Sequence, residues 1–348
     1  MPDDDDEVIP LLDLGLPLRS EPRGFSPDQM VTCEACLRAN PPTRTSCLYC
    51  AAALSATEAS AALRRPTLRR LEKWEQGFNV ILMSRAAHEM TEEALVEAAE
   101  LLRLETEELK RIVDAGEPLP LARAATLDEA SLIERKLGEL KVGVLVIADR
   151  DLALETSPPE RIRALELAQD ALIAYPAGAS RELRAAWTDI RLLVAGRHFV
   201  RRLEVEERRG RGGENELADA RELSSDENLL DLYTEKAGGS WRIASDSFDF
   251  SCLNERKGLL AAENFSVLTE MLRARSPVAA YDESYNRVRH ALGAVWPLDQ
   301  HTESRGLRRH RPGRYNTESV TTSDNVTQFT RYSRLRAHLK IKHPGESS

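Results

Sequence analysis

Cys33-Glu-Ala-Cys36 and Cys47-Leu-Tyr-Cys50 place two thiol pairs ten residues apart. Two thiolates separated by two residues can grip one side of a tetrahedral metal, and a second pair after a short loop closes the other side. With Cys33, Cys36, Cys47 and Cys50 as ligands, sulfur fills all four positions of a Zn²⁺ ion. No position is left for water, so the spacing reads as a structural zinc site rather than a catalytic one. The other reading of the same residues is a redox dithiol pair. Few residues surround the cysteines, so metal binding is expected to supply most of the folding free energy here, on the order of 10 kcal/mol. Loss of one cysteine should unfold this segment and leave the rest of the chain folded.

The remainder is a chain of 348 residues, 42% hydrophobic and 30% charged, long enough for two or three domains. The longest apolar runs, such as Val142–Ala148, are too short to span a bilayer. The start, Met-Pro-Asp-Asp-Asp-Asp-Glu, carries neither the basic nor the apolar region of a secretory signal, so a cytoplasmic location is expected. There, thiols serve as metal ligands more often than as disulfides. Cys252, alone in an apolar stretch, reads as a small buried hydrophobe. The net charge of −9 is uneven: residues 301–348 hold ten Lys/Arg and four Asp/Glu, which leaves −15 on the first 300. An acidic body argues against coating of DNA by the whole protein, and a basic end allows local anion binding.

The expected class is α+β and multidomain: a zinc ribbon, a small α/β sandwich, then an antiparallel β domain closed by a C-terminal helix. Residues 1–28 read as an acidic, disordered arm, and 29–53 as the zinc ribbon. Residues 74–150 read as one α/β unit. Phe78-Asn-Val-Ile-Leu-Met83 and Lys141-Val-Gly-Val-Leu-Val-Ile147 are strands, and Thr91, Thr106 and Thr126 each open a helix in between. This β-α-α-α-β order resembles the C-terminal domain of the bacterial ribosomal stalk protein. The matching stretches are Phe78–Leu82, Leu109–Gly116 and Ala130–Val146. In that family a Gly-rich turn and following lysines meet translation factors. Here Leu104-Glu-Thr-Glu-Glu108 stands there, so the resemblance implies the fold and not factor recruitment.

Residues 165–275 read as short strands: Ala171–Tyr175, Trp187–Val194, His198–Val205, Leu229–Thr234 and Ser240–Phe250. A charged loop spans Glu207–Asn215, and an amphipathic helix spans Asn264–Arg273. A run of antiparallel strands closed by one helix resembles the pleckstrin-homology-like superfold, and Trp187-Thr-Asp-Ile190 is similar to strand starts in its bacterial members. Residues 276–348 read as a helix over Tyr281–Val295 followed by a basic polar tail.

The spacing Cys33-x2-Cys36-x3-Asn40-x6-Cys47-x2-Cys50 resembles bacterial zinc ribbons and the RanBP2-type zinc finger. Asn40-Pro41-Pro42 fits the turn of both. Val31 stands where the RanBP2 type usually has Trp. Leu37-Arg38 replaces the Thr-Phe pair that reads ubiquitin in some members, and Leu37 and Ala51 stand where many ribbons have Gly. The chain has no His-Glu-x-x-His, Gly-x-Ser-x-Gly or Walker-type loop. Asp246, Asp249, Asp282 and Glu283 match no hard-cation loop. Three functions follow. The first is a non-enzymatic zinc-ribbon adaptor or regulatory protein that binds a protein partner. The second is an RNA-binding protein using the zinc module and Arg331, Arg334, Arg336, Lys340 and Lys342; a basic helix packed on the acidic body is the plainer reading of those five. The third is an enzyme whose site lies in residues 240–330, built from Ser245–Phe250 and Thr321–Asn325.

Overall fold

The structure is a computed structural model that describes residues 24–55, 60, 66–72, 75–83, 90–153, 159–178, 181–209, 215–235, 240–311 and 314–342. It divides into two compact units, Met1–Arg64 and Arg65–Ser348. The class is α+β. Among the described residues no helix is long and apolar enough to cross a membrane. The expected acidic arm lies outside the described residues except for 24–28, as does the Gly-rich run 210–213.

Among its described residues the first unit has almost no apolar interior. β1 (Val31–Thr32) pairs antiparallel with β2 (Ala39–Asn40). Its buried cluster consists of Val31, Leu54, Cys33 and Cys47. Two aliphatic side chains bury too little surface to offset the ordering of this many residues.

The second unit begins with β3 (Phe78–Leu82), α1 (Glu92–Leu102), α2 (Thr106–Asp114), β4 (Leu119–Ala124), α3 (Leu127–Glu139) and β5 (Val144–Ala148). The hydroxyls of Thr91 and Thr126 cap α1 and α3 as expected, whereas Glu105 precedes α2 and its N–H donates to Glu108. The order is therefore β-α-α-β-α-β, with one strand more than the sequence pattern predicts. Pro120 hides β4, because proline cannot donate to a ladder. It is tolerated because β4 is an edge strand and Pro120 sits at a shift in register against β3.

The rest forms one nine-stranded mixed sheet. β6 (Glu160–Leu167), β7 (Ala171–Pro176), β8 (Leu183–Ala186), β9 (Ile190–Arg209), β10 (Asn215–Thr234) and β11 (Ser240–Ala244) come first. Then follow α4 (Ala261–Arg275), β12 (Ala280–Asp282), α5 (Tyr285–Leu292), β13 (Asp299–Arg311), β14 (Arg314–Asp324) and α6 (Val326–Lys342). The strand order is β13-β14-β9-β10-β11-β6-β7-β8, with β12 added parallel to β9. Trp187–Asp189 form a 3-10 turn, and the two strands expected at 187–194 and 198–205 are merged into one strand of 20 residues that starts at Ile190. Gly196 in its middle makes no turn. It lets the backbone approach α6, since a Cβ there would lie 2.4 Å from the Phe329 ring.

Residues 276–348 are not a helix followed by a tail. They hold β12, α5, β13, β14 and α6. The β-branched residues Thr317, Val320, Thr321 and Thr322 favour a strand. The stripe of Phe329, Tyr332, Leu335 and Leu339 buries one side of α6. One face of the long sheet, through Leu192, Val194, Leu229 and Tyr233, shares a single core with α5, α6 and the β3–β5 layer. The other face packs Trp187, Trp241, Phe248 and Phe250 against Phe265, Leu268 and Leu272 of α4.

Glu129 fastens the entry to this unit. Its carboxylate accepts from the Thr67 N–H and hydroxyl and the Leu68 N–H, each at 2.7 Å, and from the Ala125 N–H at 3.2 Å. Burial alone would raise its pKa, but these donors hold it below the ordinary carboxylate value. A depressed folded-state pKa stabilises the fold above the unfolded value of about 4.3. That contribution is lost as pH falls through the acid range. Glu129→Gln should cost about 1–3 kcal/mol in urea unfolding at neutral pH. The variant should also show a shallower loss of stability below about pH 4 than the parent chain.

Candidate metal centre

The four sulfurs of Cys33, Cys36, Cys47 and Cys50 lie within 4.8 Å of one another, and all four thiols are free. Cys33 Sγ is 3.6 Å from Cys50 Sγ, and Cys36 Sγ is 3.5 Å from Cys47 Sγ. A tetrahedral zinc with Zn–S bonds of about 2.3 Å sets its sulfurs about 3.8 Å apart. The cluster therefore has the size and the donor set for one such ion, and it can hold a metal.

Two similar turns build it. The Leu37 N–H donates to Cys33 O, and the Ala51 N–H donates to Cys47 O. Leu37 (φ 58°) and Ala51 (φ 60°) are both left-handed, the conformation that favours glycine. The glycine of many ribbons is absent here, but the backbone shape that needs it is kept. Asn40, fully buried, ties the turns together. Its Oδ1 accepts from the Leu48 N–H at 2.8 Å, and its Nδ2 donates to Arg38 O at 2.9 Å and to Cys47 Sγ at 3.5 Å.

The thiols are unequal. Burial opposes ionisation of Cys47, but the N–H groups of Tyr49 and Cys50 and the Asn40 amide bring its pKa down to about 6. At Cys36 the Arg38 N–H favours the thiolate, yet burial and the other three sulfurs push its pKa up to about 12. A bound cation would remove this competition, since it needs all four as thiolates.

Sequence reasoning missed the outer surface of the same turns. Leu37 is 78% exposed, Leu48 53% and Tyr49 56%, and the Arg38 guanidinium lies 4.6 Å over the Tyr49 ring. The only available signal was large apolar residues inside or just after Cys-x-x-Cys, which is too short a run to assign a face.

Arg331, Arg334 and Arg336 of α6 are buried or half-buried. Arg334 is 7% exposed and donates to Ala153 O. Arg336 pairs with Glu117 at 3.0 Å and with Asp282. Burial drives the Arg331 guanidinium below its ordinary pKa. Among the five residues read as RNA contacts, Lys340 is exposed and the Lys342 side chain lies outside the described ones. The two Ser/Asp segments stand apart. Ser245 Oγ accepts from the Asn228 N–H beside β10, whereas Asn325 bridges Arg197 O and the Phe199 N–H beside β9. Asn228 and Arg197 face each other across the β9–β10 ladder, so both strands separate the segments. Asp282 serves Tyr332 and Ser284, and Asp249 caps Ser251.

No protein-family model matches the chain, and neither a curated protein nor a solved structure is similar enough to count as a match.

Two substitutions should move metal affinity in opposite directions. Asn40→Ala removes the bridge between the turns and should weaken zinc binding about 10–100-fold in a chelator competition. Leu37→Gly relieves a left-handed side chain, a strain of about 1–2 kcal/mol, and should strengthen it. Equal affinities in all three chains would contradict the described turns.

Proposed function

We propose that this chain is a non-enzymatic adaptor or regulatory protein of the cytoplasm, in which a structural zinc holds an N-terminal ribbon that docks on a protein partner. One observation carries this reading: the two cysteine turns leave Leu37, Leu48 and Tyr49 in water, while among the described residues of the unit Val31 and Leu54 are the buried large aliphatic side chains. A unit this small gains little by exposing its largest apolar groups unless something else covers them. Sulfur fills every ligand position, which supports a structural role for the ion rather than a reactive one. The resemblance of 29–53 to zinc ribbons, of 74–150 to the ribosomal stalk domain and of 165–275 to the pleckstrin-homology-like superfold belongs to the same proposal. Each would add protein-binding surface.

The test uses the full chain with its metal. Leu37→Asp with Tyr49→Asp should leave one zinc per chain, measured by elemental analysis. The same variant should lose a partner protein that the parent chain retains from native extract. Equal retention by both would refute the assigned face, and a zinc-free parent chain would refute the metal.

A further inference from the structure

β9 and β10 run far past the body of the sheet. β11 covers β10 only over 229–233, and β12 covers β9 only over 192–194. Beyond them a ribbon of four antiparallel strands continues in the order β10-β9-β14-β13, with 316–324 of β14 against 200–208 of β9. Among the described residues no further strand pairs with the outer side of β13, or with that of β10 from Asn215 to Asn228, where Ser245 meets Asn228. An open edge presents a row of N–H and C=O groups ready to take another strand, and natural proteins usually control it with charge.

The charges on the two edges differ in kind. β10 carries Glu216, Asp219, Glu222, Asp226 and Glu227 against Arg221 alone up to Asn228. This excess of acid sets two copies of that edge against each other. β13 is polarised along its length. Asp299 and Glu303 lie in its first five residues, and Arg305, Arg308, Arg309 and Arg311 in its last seven. His301, Thr302 and Glu303 are exposed. An antiparallel partner of the same sequence would bring the acidic half of each strand beside the basic half of the other, twice, about one two-fold axis. In that arrangement the two bodies lie at opposite ends of the joined ribbons. We propose that β13 is a dimerisation edge: two copies of this chain pair β13 with β13, antiparallel, and form an eight-stranded ribbon.

Sedimentation of the full, metal-loaded chain over a range of concentrations reads this directly. The parent chain should pass from monomer to dimer, and high salt should weaken the dimer. Glu303→Arg leaves the first five residues of β13 with no net charge, and Arg308→Glu with Arg309→Glu does the same for the last seven, so neither variant keeps two oppositely charged halves. Each variant alone should raise the dissociation constant at least about tenfold. Mixed, the two should form heterodimers. Asp219→Lys on β10 should leave dimerisation unchanged, and matching thermal unfolding curves would show that all the variants fold. A parent chain that stays monomeric throughout would overturn the proposal. So would β13 variants that still dimerise alone, a mixture that remains monomeric, or a dimer lost on Asp219→Lys.

Discussion

A continuous line of buried hydrogen bonds holds the second unit together. Asn325 plugs the edge of β9 between β12 and β14 and donates to the Tyr285 hydroxyl at 2.9 Å. Tyr285 donates to Gln328 at 2.9 Å, and Gln328 donates to Trp296 O at 2.7 Å. The Trp296 indole donates to Asn79 on β3 at 3.0 Å, and Asn79 donates to Asp149 at 2.8 Å, where Arg123 completes the pairing. The line thus starts on the long sheet and ends in the three-stranded layer. Buried polar groups stabilise a structure only when each is satisfied, and a single break leaves an orphan costing about 1–3 kcal/mol. The same core carries a second joint. Arg336 of α6 stands between Glu117, just before β4, and Asp282 at the end of β12.

The two units solve the problem of stability differently. The second has a large apolar core, with Trp296, Tyr285, Tyr332 and Phe329 nearly or fully buried. Among its described residues the first has Val31, Leu54 and four clustered sulfurs. Its two left-handed non-glycine residues add strain that a bound ion can offset. With so little apolar interior to join, Leu37, Leu48 and Tyr49 stand on the outer face of the two cysteine turns.

What could be read from the chain alone was local. The cysteines signal their chemistry through spacing, and Thr91 and Thr126 mark helix starts through bonds that span three residues. The errors came from distant partners. The cations of α6 look like a solvated, anion-seeking tail until the oxygens of Glu117, Ala153 and Asp282 are placed around Arg334 and Arg336. Gly196 looks like a break until Phe329, far along the chain, fills the space above it. β4 stays hidden by Pro120 until the place of that strand on a sheet edge is known. No periodicity within a window of ten or fifteen residues carries such information.

Native-state hydrogen exchange on the chain carrying Asn79→Ala tests most directly whether the two sheets form one cooperative body. The described network predicts that protection of Val80 and Ile81 in β3, Leu193 and Val194 in β9, and Phe329 through Leu335 in α6 falls together. The common loss should be about 1–3 kcal/mol, since all three open through the same unfolding event. Lowered protection confined to β3, with β9 and α6 unchanged, would contradict it.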